Sequence, residues 1–125
     1  MSALAAVDWA LVNSRALAVF GPVLILTGIA GFLVPPRLAL MSGAPAYNVF
    51  HVLSGMIGTA LVLAGTARGS AAFNLAFGAI DLYQAAAGVG GFFPARHFRY
   101  KRADHILHVG LGLALVAIGW SGLRR

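Results

Sequence analysis

Long apolar runs, separated by short basic or proline-rich breaks, dominate the chain. The first, Ala16 to Pro36, reads ALAVFGPVLILTGIAGFLVPP and carries no formal charge. The second runs from about Ala46 to Ala67, the third from about Ala71 to Phe93 and the fourth from about Asp104 to Leu123. A helix needs roughly 20 apolar residues to cross a bilayer core of about 30 Å, and each run is of that order. None shows a period-two alternation. Backbone groups in lipid must be satisfied within the segment, so the runs predict membrane-spanning helices rather than barrel strands. Pro22 is expected near the start of its helix, where a missing N–H is tolerated, and Pro35-Pro36 should end it. The connections are short: Arg37 to Pro45, Arg68 to Ser70 and Pro94 to Ala103. The expected fold is all-α, an integral membrane four-helix bundle built from two tandem helix hairpins over residues 16–125. Residues 1–15 are expected to form an interfacial or helical lead-in, with Trp9 near the headgroups.

Composition supports lipid as the solvent. Of 125 residues, 60% are hydrophobic and 10% charged, against roughly 25% charged in soluble domains, and the mean hydropathy is +0.87. The absence of cysteine excludes disulfides and thiolate chemistry within the chain. The net charge of +6 does not point to nucleic acid, because the basic residues fall between apolar runs instead of along one face. Four spans place Arg15, Arg68, Arg124 and Arg125 on one side, and Arg37, Arg96, Arg99, Lys101 and Arg102 on the other. That is too even for the positive-inside rule to set the orientation. Asp8 early and Arg15 late are the reverse of a secretory leader, so the first span is expected to be retained.

The chain also resembles itself at an offset of 57 residues. Phe20-Gly21 meets Phe77-Gly78, His51-Val52 meets His108-Val109, Gly55 meets Gly112 and Arg68 meets Arg125, with no gap. This register predicts a duplicated hairpin with halves of about 16–68 and 73–125. The halves would share orientation, with His51 and His108 at matched depth.

Polar residues inside the spans need a reason. An Asp near mid-membrane costs on the order of 3 kcal/mol on insertion scales, so Asp81 should face the bundle. Asn74 and Gln84 share its helical face, whereas the 57-residue equivalents of Asp81 and Gln84 are Leu24 and Thr27. Asp104 stands four residues before His108 and Tyr47 four before His51, spacings that place each pair on one helix face. Three readings follow. Asp104 caps the fourth helix and the histidines are polar glue between helices. Alternatively, His51 and His108 are axial ligands of a non-covalently held haem or related tetrapyrrole. In the third, Asp81 and Gln84, with Asp104 and His105, form a proton or ion relay. Zinc is not favoured, since no HExxH-like register occurs. The basic RHFRYKR stretch, with Phe98 and Tyr100 interleaved, reads as an interfacial anchor.

With these motifs laid out, the chain resembles a bacterial family of small four-helix membrane proteins known as domain of unknown function 4383. The features are Asn48-Val-Phe-His51-x-x-x-Gly55, the Gly78 to Tyr83 region and Asp104-His105-x-x-His108-x-x-x-Gly112. The resemblance covers about Ala16 to Gly122 and implies a multi-pass protein of the bacterial inner membrane, with no assigned activity. No nucleophile motif, P-loop or dinucleotide fingerprint is present. The leading expectation is therefore a non-enzymatic structural or accessory component, partnered by the lipid bilayer and by another membrane protein or a second copy.

Overall fold

Asp8 sets where the first helix begins. Its carboxylate accepts a hydrogen bond from the Leu11 backbone N–H at 3.1 Å, satisfying one of the orphan donors of a helix start. From there α1 runs Trp9–Leu33. The computed structural model describes residues 7–124. The expected lead-in over 1–15 thus lies outside the described residues for 1–6, and from Trp9 onward it is the first two turns of α1. This earlier start moves Pro22 to the middle of the helix, not near its beginning as the sequence predicts. The other end behaves as the proline pair requires. Val34, which precedes Pro35, is extended at φ −85° and ψ 127°, because the following ring disfavours helical backbone there.

Helix α2, Pro45–Leu63, starts on a proline, the residue whose missing N–H costs nothing at that position. Helix α3, Ala67–Gly90, is capped by the Thr66 hydroxyl, which accepts from Gly69 N at 2.9 Å. It ends at Gly91, in the left-handed region at φ 75°, as helices commonly do. The connection from Pro94 to Ala103, expected as a plain loop, contains a single helical turn, α4, Ala95–Phe98. Helix α5 is Arg102–Leu123. Regular structure among the described residues is entirely helical. Helices α1, α2 and α5 are each long and apolar enough to cross a membrane. Helix α3 is as long, at 24 residues, but less apolar, because it carries Arg68, Asn74, Asp81 and Gln84.

The most extensive packing is α1 along α2 and α3 along α5, and glycine explains how close the pairs come. A Cβ added at Gly21 would lie 3.3 Å from the Gly55 carbonyl oxygen, and one at Gly55 would lie 2.5 Å from the Gly21 carbonyl. In the second pair, a Cβ at Gly78 would meet the Gly112 carbonyl at 2.9 Å, and one at Gly112 the Gly78 carbonyl at 3.0 Å. Backbone meets backbone at both crossings, the small-residue packing that replaces hydrophobic driving force between helices in lipid.

Burial is inverted relative to a water-soluble bundle. Asn13, Asn48, Asn74, Gln84, Asp104 and His108 are buried, while Val19, Leu26, Leu33, Leu53, Leu63 and Val89 lie on the outside. A surface of large aliphatics around a polar interior is at home in lipid and costly in water.

Candidate functional site

The interior divides into layers along the bundle axis. Near one end, Asn13 of α1 donates from Nδ2 to the Ile118 carbonyl of α5 at 2.8 Å. Asn74 of α3 donates to Asn13 Oδ1 at 2.9 Å. Three helices are tied by two amides. Beneath them is an apolar layer of Leu24, Phe77 and Leu115, with Phe20, Phe50 and Phe73 packed against it. Phe77 is its centre: its ring meets Phe20 edge-on at 5.4 Å and stacks with Phe73 at 5.5 Å and Phe50 at 5.8 Å.

Below the phenylalanines is a second, larger polar layer. Asp81 follows Asn74 by seven residues, about 10 Å along the helix. Only 3% of Asp81 is exposed. Its Oδ1 receives a long hydrogen bond, 3.4 Å, from Gln84 Nε2, and its Oδ2 is buried without a partner. Gln84 Oε1 in turn accepts from the Tyr100 hydroxyl at 2.9 Å. This leads the polar chain out to the connection between α4 and α5. Burial pushes the Tyr100 hydroxyl above the usual phenol range, and the negative charge of Asp104 adds to the effect, so the phenol remains a donor.

Tyr47 lies at the hub of this layer. Its hydroxyl pairs with His108 Nε2 at 2.7 Å, and its ring lies 4.1 Å from that of His51 and 5.6 Å from that of Tyr100. The i,i+4 spacing on α2 brings Tyr47 over His51, and α5 supplies His108 from across the bundle. Tyr47, His51, Asp81 and His108 then line one cavity of about 210 Å³, closed by apolar side chains that include Phe77 and Leu111. The Nδ1 atoms of His51 and His108 are buried there with no partner.

The residues expected to act together separate into two groups. His51, His108 and Asp81 share the cavity, with Gln84 attached through Asp81. Asp104 does not line it. It caps α5 from the third helical position, not as the N-cap residue, which is Lys101. Asp104 sits three residues into the turn, where its Oδ2 accepts from Lys101 N at 2.7 Å and from Ser42 N at 2.9 Å. That fixes the start of α5 against the α1–α2 connection. Lys101 reinforces it, donating from Nζ to the Pro36 and Ala39 carbonyls at 2.7 and 2.8 Å. His105 stands apart beside Tyr100, ring centroids 5.8 Å apart. Tyr100, read from sequence as an interfacial anchor, points inward instead, since Gln84 offers it an acceptor. Sequence spacing could have marked Tyr47 as part of the site through His51. Nothing local marks Tyr100, whose partners are brought to it by the tertiary fold.

Tyr47 contacts both imidazoles, through its hydroxyl at His108 Nε2 and through its ring 4.1 Å from that of His51. A macrocycle between them would have to displace Tyr47 from His108 Nε2, in a cavity below the roughly 300 Å³ of the smallest drug-sized pockets. Among the described residues no group of three or more His, Cys, Asp and Glu is placed to hold a metal ion. No protein-family model, curated protein or solved structure matches the chain.

Proposed function

We propose that this is a four-span protein of the bacterial inner membrane, built from two related hairpins, that takes up and releases a proton at Asp81. Membership in the four-helix family it resembles is part of the same proposal. The observation that carries it is the Asp81 carboxylate: buried, half unpartnered, and facing a cavity shared with two histidines and a tyrosine. An ionisable residue inside a membrane bundle is expensive and is retained where it does something. Gln84 and Tyr100 give Asp81 a polar route toward one end of the bundle, while the phenylalanine layer closes the other direction. Transfer therefore proceeds by protonation of Asp81 and parting of that layer, not through a standing pore. Proton flux into liposomes carrying a pH-sensitive dye tests this. The wild type is expected to dissipate an imposed gradient, and Asp81→Asn to remove that flux while keeping the fold. Equal flux in both proteins overturns the reading.

A second reading has its own support. The Asn13–Asn74–Ile118 ties and the Ser42–Asp104–Lys101 joint are structural, and they favour a non-enzymatic accessory component that offers its apolar outer face to another membrane protein or a second copy. On this reading Asp81→Asn only stabilises the bundle, and replacing His51 or His108 by alanine loosens it without a transport change.

A further inference from the structure

Apart from Thr27, the walls of the Asp81 cavity outside its polar floor are apolar, and one wall reaches the outer surface. All four long helices contribute to it. On the α1 and α5 side the lining residues Val23, Leu107 and Leu111 are also outward-facing, 47%, 38% and 37% exposed. These two helices share few contacts compared with the α1–α2 and α3–α5 pairs, so the gap between them is filled by flexible aliphatic side chains rather than by backbone. The interior end of the same cavity holds three buried polar atoms without a partner, Asp81 Oδ2 and the Nδ1 atoms of His51 and His108, on residues 3%, 5% and 5% exposed. Among the described residues no lysine or arginine is paired with Asp81. Unmet polar atoms at this depth are costly. A donor-bearing cation would satisfy the carboxylate oxygen, and an imidazole Nδ1 in the tautomer that carries its proton on Nε2.

We propose that the cavity is a binding site for a small lipophilic amine in its ammonium form, admitted from the bilayer between α1 and α5. The ammonium donates to Asp81 Oδ2 and, with the imidazole proton on Nε2, to His51 Nδ1, and its apolar body lies against Phe20, Leu24, Phe77 and Leu111. The rings of Phe20, Phe77 and Tyr47 add an aromatic surface of the kind that attracts cations. A metal cation is not the occupant the site describes, because hard cations take six or more oxygen ligands, and one carboxylate with a few hydroxyls does not supply them. The volume of about 210 Å³ limits the body to one ring or a short chain. The inference rests on the proton-handling reading in one respect: a proton and the ammonium compete for the same carboxylate, so binding the amine expels the proton from Asp81. The titratable groups around Asp81 are Tyr47 and His51 from α2, His108 from α5 and, through Gln84, Tyr100. The α1 residues of the cavity, Phe20, Val23, Leu24 and Thr27, contribute none.

Calorimetry on the full chain in phosphatidylcholine nanodiscs, with benzylammonium chloride as the probe, decides the matter. Saturable binding is expected, weakened at least tenfold by Asp81→Asn, with neutral benzyl alcohol bound at least tenfold more weakly than the amine. Leu107→Trp, at the rim and away from the acceptors, is expected to slow association several-fold and provides a second variant should Asp81→Asn be poorly folded. Equal affinity for the amine and the alcohol, or no effect of either substitution, overturns the site. Proton flux that depends on Asp81 without any amine binding overturns the amine and leaves the proton reading standing. Amine binding that depends on Asp81 without flux supports the amine site and removes proton transport.

Discussion

The α1–α2 pair and the α3–α5 pair are packed alike and filled differently. Gly21 crosses Gly55 as Gly78 crosses Gly112, 57 residues on. Each second helix opens with a backbone bond at the same place, Asn48 N to the Ala44 carbonyl at 2.9 Å and His105 N to the Lys101 carbonyl at 3.3 Å. Each also carries its histidine at the same step, His51 and His108, both buried. The interior residues then diverge. Leu17 and Leu24 of α1 are buried where α3 buries Asn74 and Asp81, and Tyr47 of α2 is buried where α5 buries Asp104. What the pairs share is backbone approach, which depends on the absence of side chains. What distinguishes them is the kind of polarity they bury: Asn13, Asn48 and His51 in the first pair, and in the second, besides amides and a histidine, the carboxylates Asp81 and Asp104.

If that division is right, the shared crossings are where substitution does most harm. Gly78→Leu must push apart backbones that already touch, and no side-chain movement relieves a clash with a carbonyl oxygen. Overpacking costs about 1–3 kcal/mol where neighbours can give, and here they cannot. Loss of the folded, monodisperse species in detergent is expected. Gly21→Leu in the other hairpin should do the same. A tolerated substitution at either crossing would mean that the pairs are held by something other than close backbone contact.

Asn74 comes next. Asn74→Leu copies the buried leucine that occupies the equivalent place, Leu17, into α3. It leaves Asn13 Oδ1 without its donor, while Asn13 Nδ2 keeps the Ile118 carbonyl. Interhelical hydrogen bonds in membrane proteins contribute about 0.6 kcal/mol on average and up to about 1.7. A loss near the upper end is expected, read as a lowered midpoint in a denaturation series in mixed micelles. No loss would show that the first hairpin's leucine is interchangeable with the second's amide.

Much of this architecture was legible in the chain. Hydropathy located the long helices and Pro35-Pro36 ended the first. The glycine matches at a fixed offset were legible as a repeat, and only the structure shows that helices cross there. The inward face of α3 followed from Asn74, Asp81 and Gln84 sharing one helical face. Three features were not legible, each for a physical reason. The start of α1 was hidden because its first two turns are set by a single capping carboxylate, not by an apolar run. Asp104 looked like a cap or a partner for His108. Its Oδ2 does accept the Lys101 N–H at the start of α5, from the third position of the helix, and it also takes Ser42 N, 62 residues away. No local pattern encodes such a contact. Tyr100 sat in a basic, aromatic stretch typical of an interface, and only the packing of α3 against α5 brings Gln84 within reach of its hydroxyl.

The smallest expected effect concerns a side chain that joins the two helix pairs at the level of the histidines. Tyr47 belongs to α2, and its hydroxyl is paired with His108 of α5. Its ring lies tilted against Phe98 of α4 at 5.0 Å and against His51 of its own helix at 4.1 Å. Tyr47→Phe keeps the ring, so the aromatic packing survives and only the hydroxyl bond is lost, about 0.6 kcal/mol by the same membrane scale. The informative consequence is the asymmetry between the histidines. His108 loses the partner on Nε2 and becomes free to reorient in the cavity, whereas His51, held by ring contact alone, is unchanged. Nitrogen-15 spectra of the labelled imidazoles should therefore show a changed tautomer balance at His108 and none at His51. Equal changes at both would mean that Tyr47 acts by shaping the cavity as a whole, and the hydroxyl would lose its place as a link between the helix pairs.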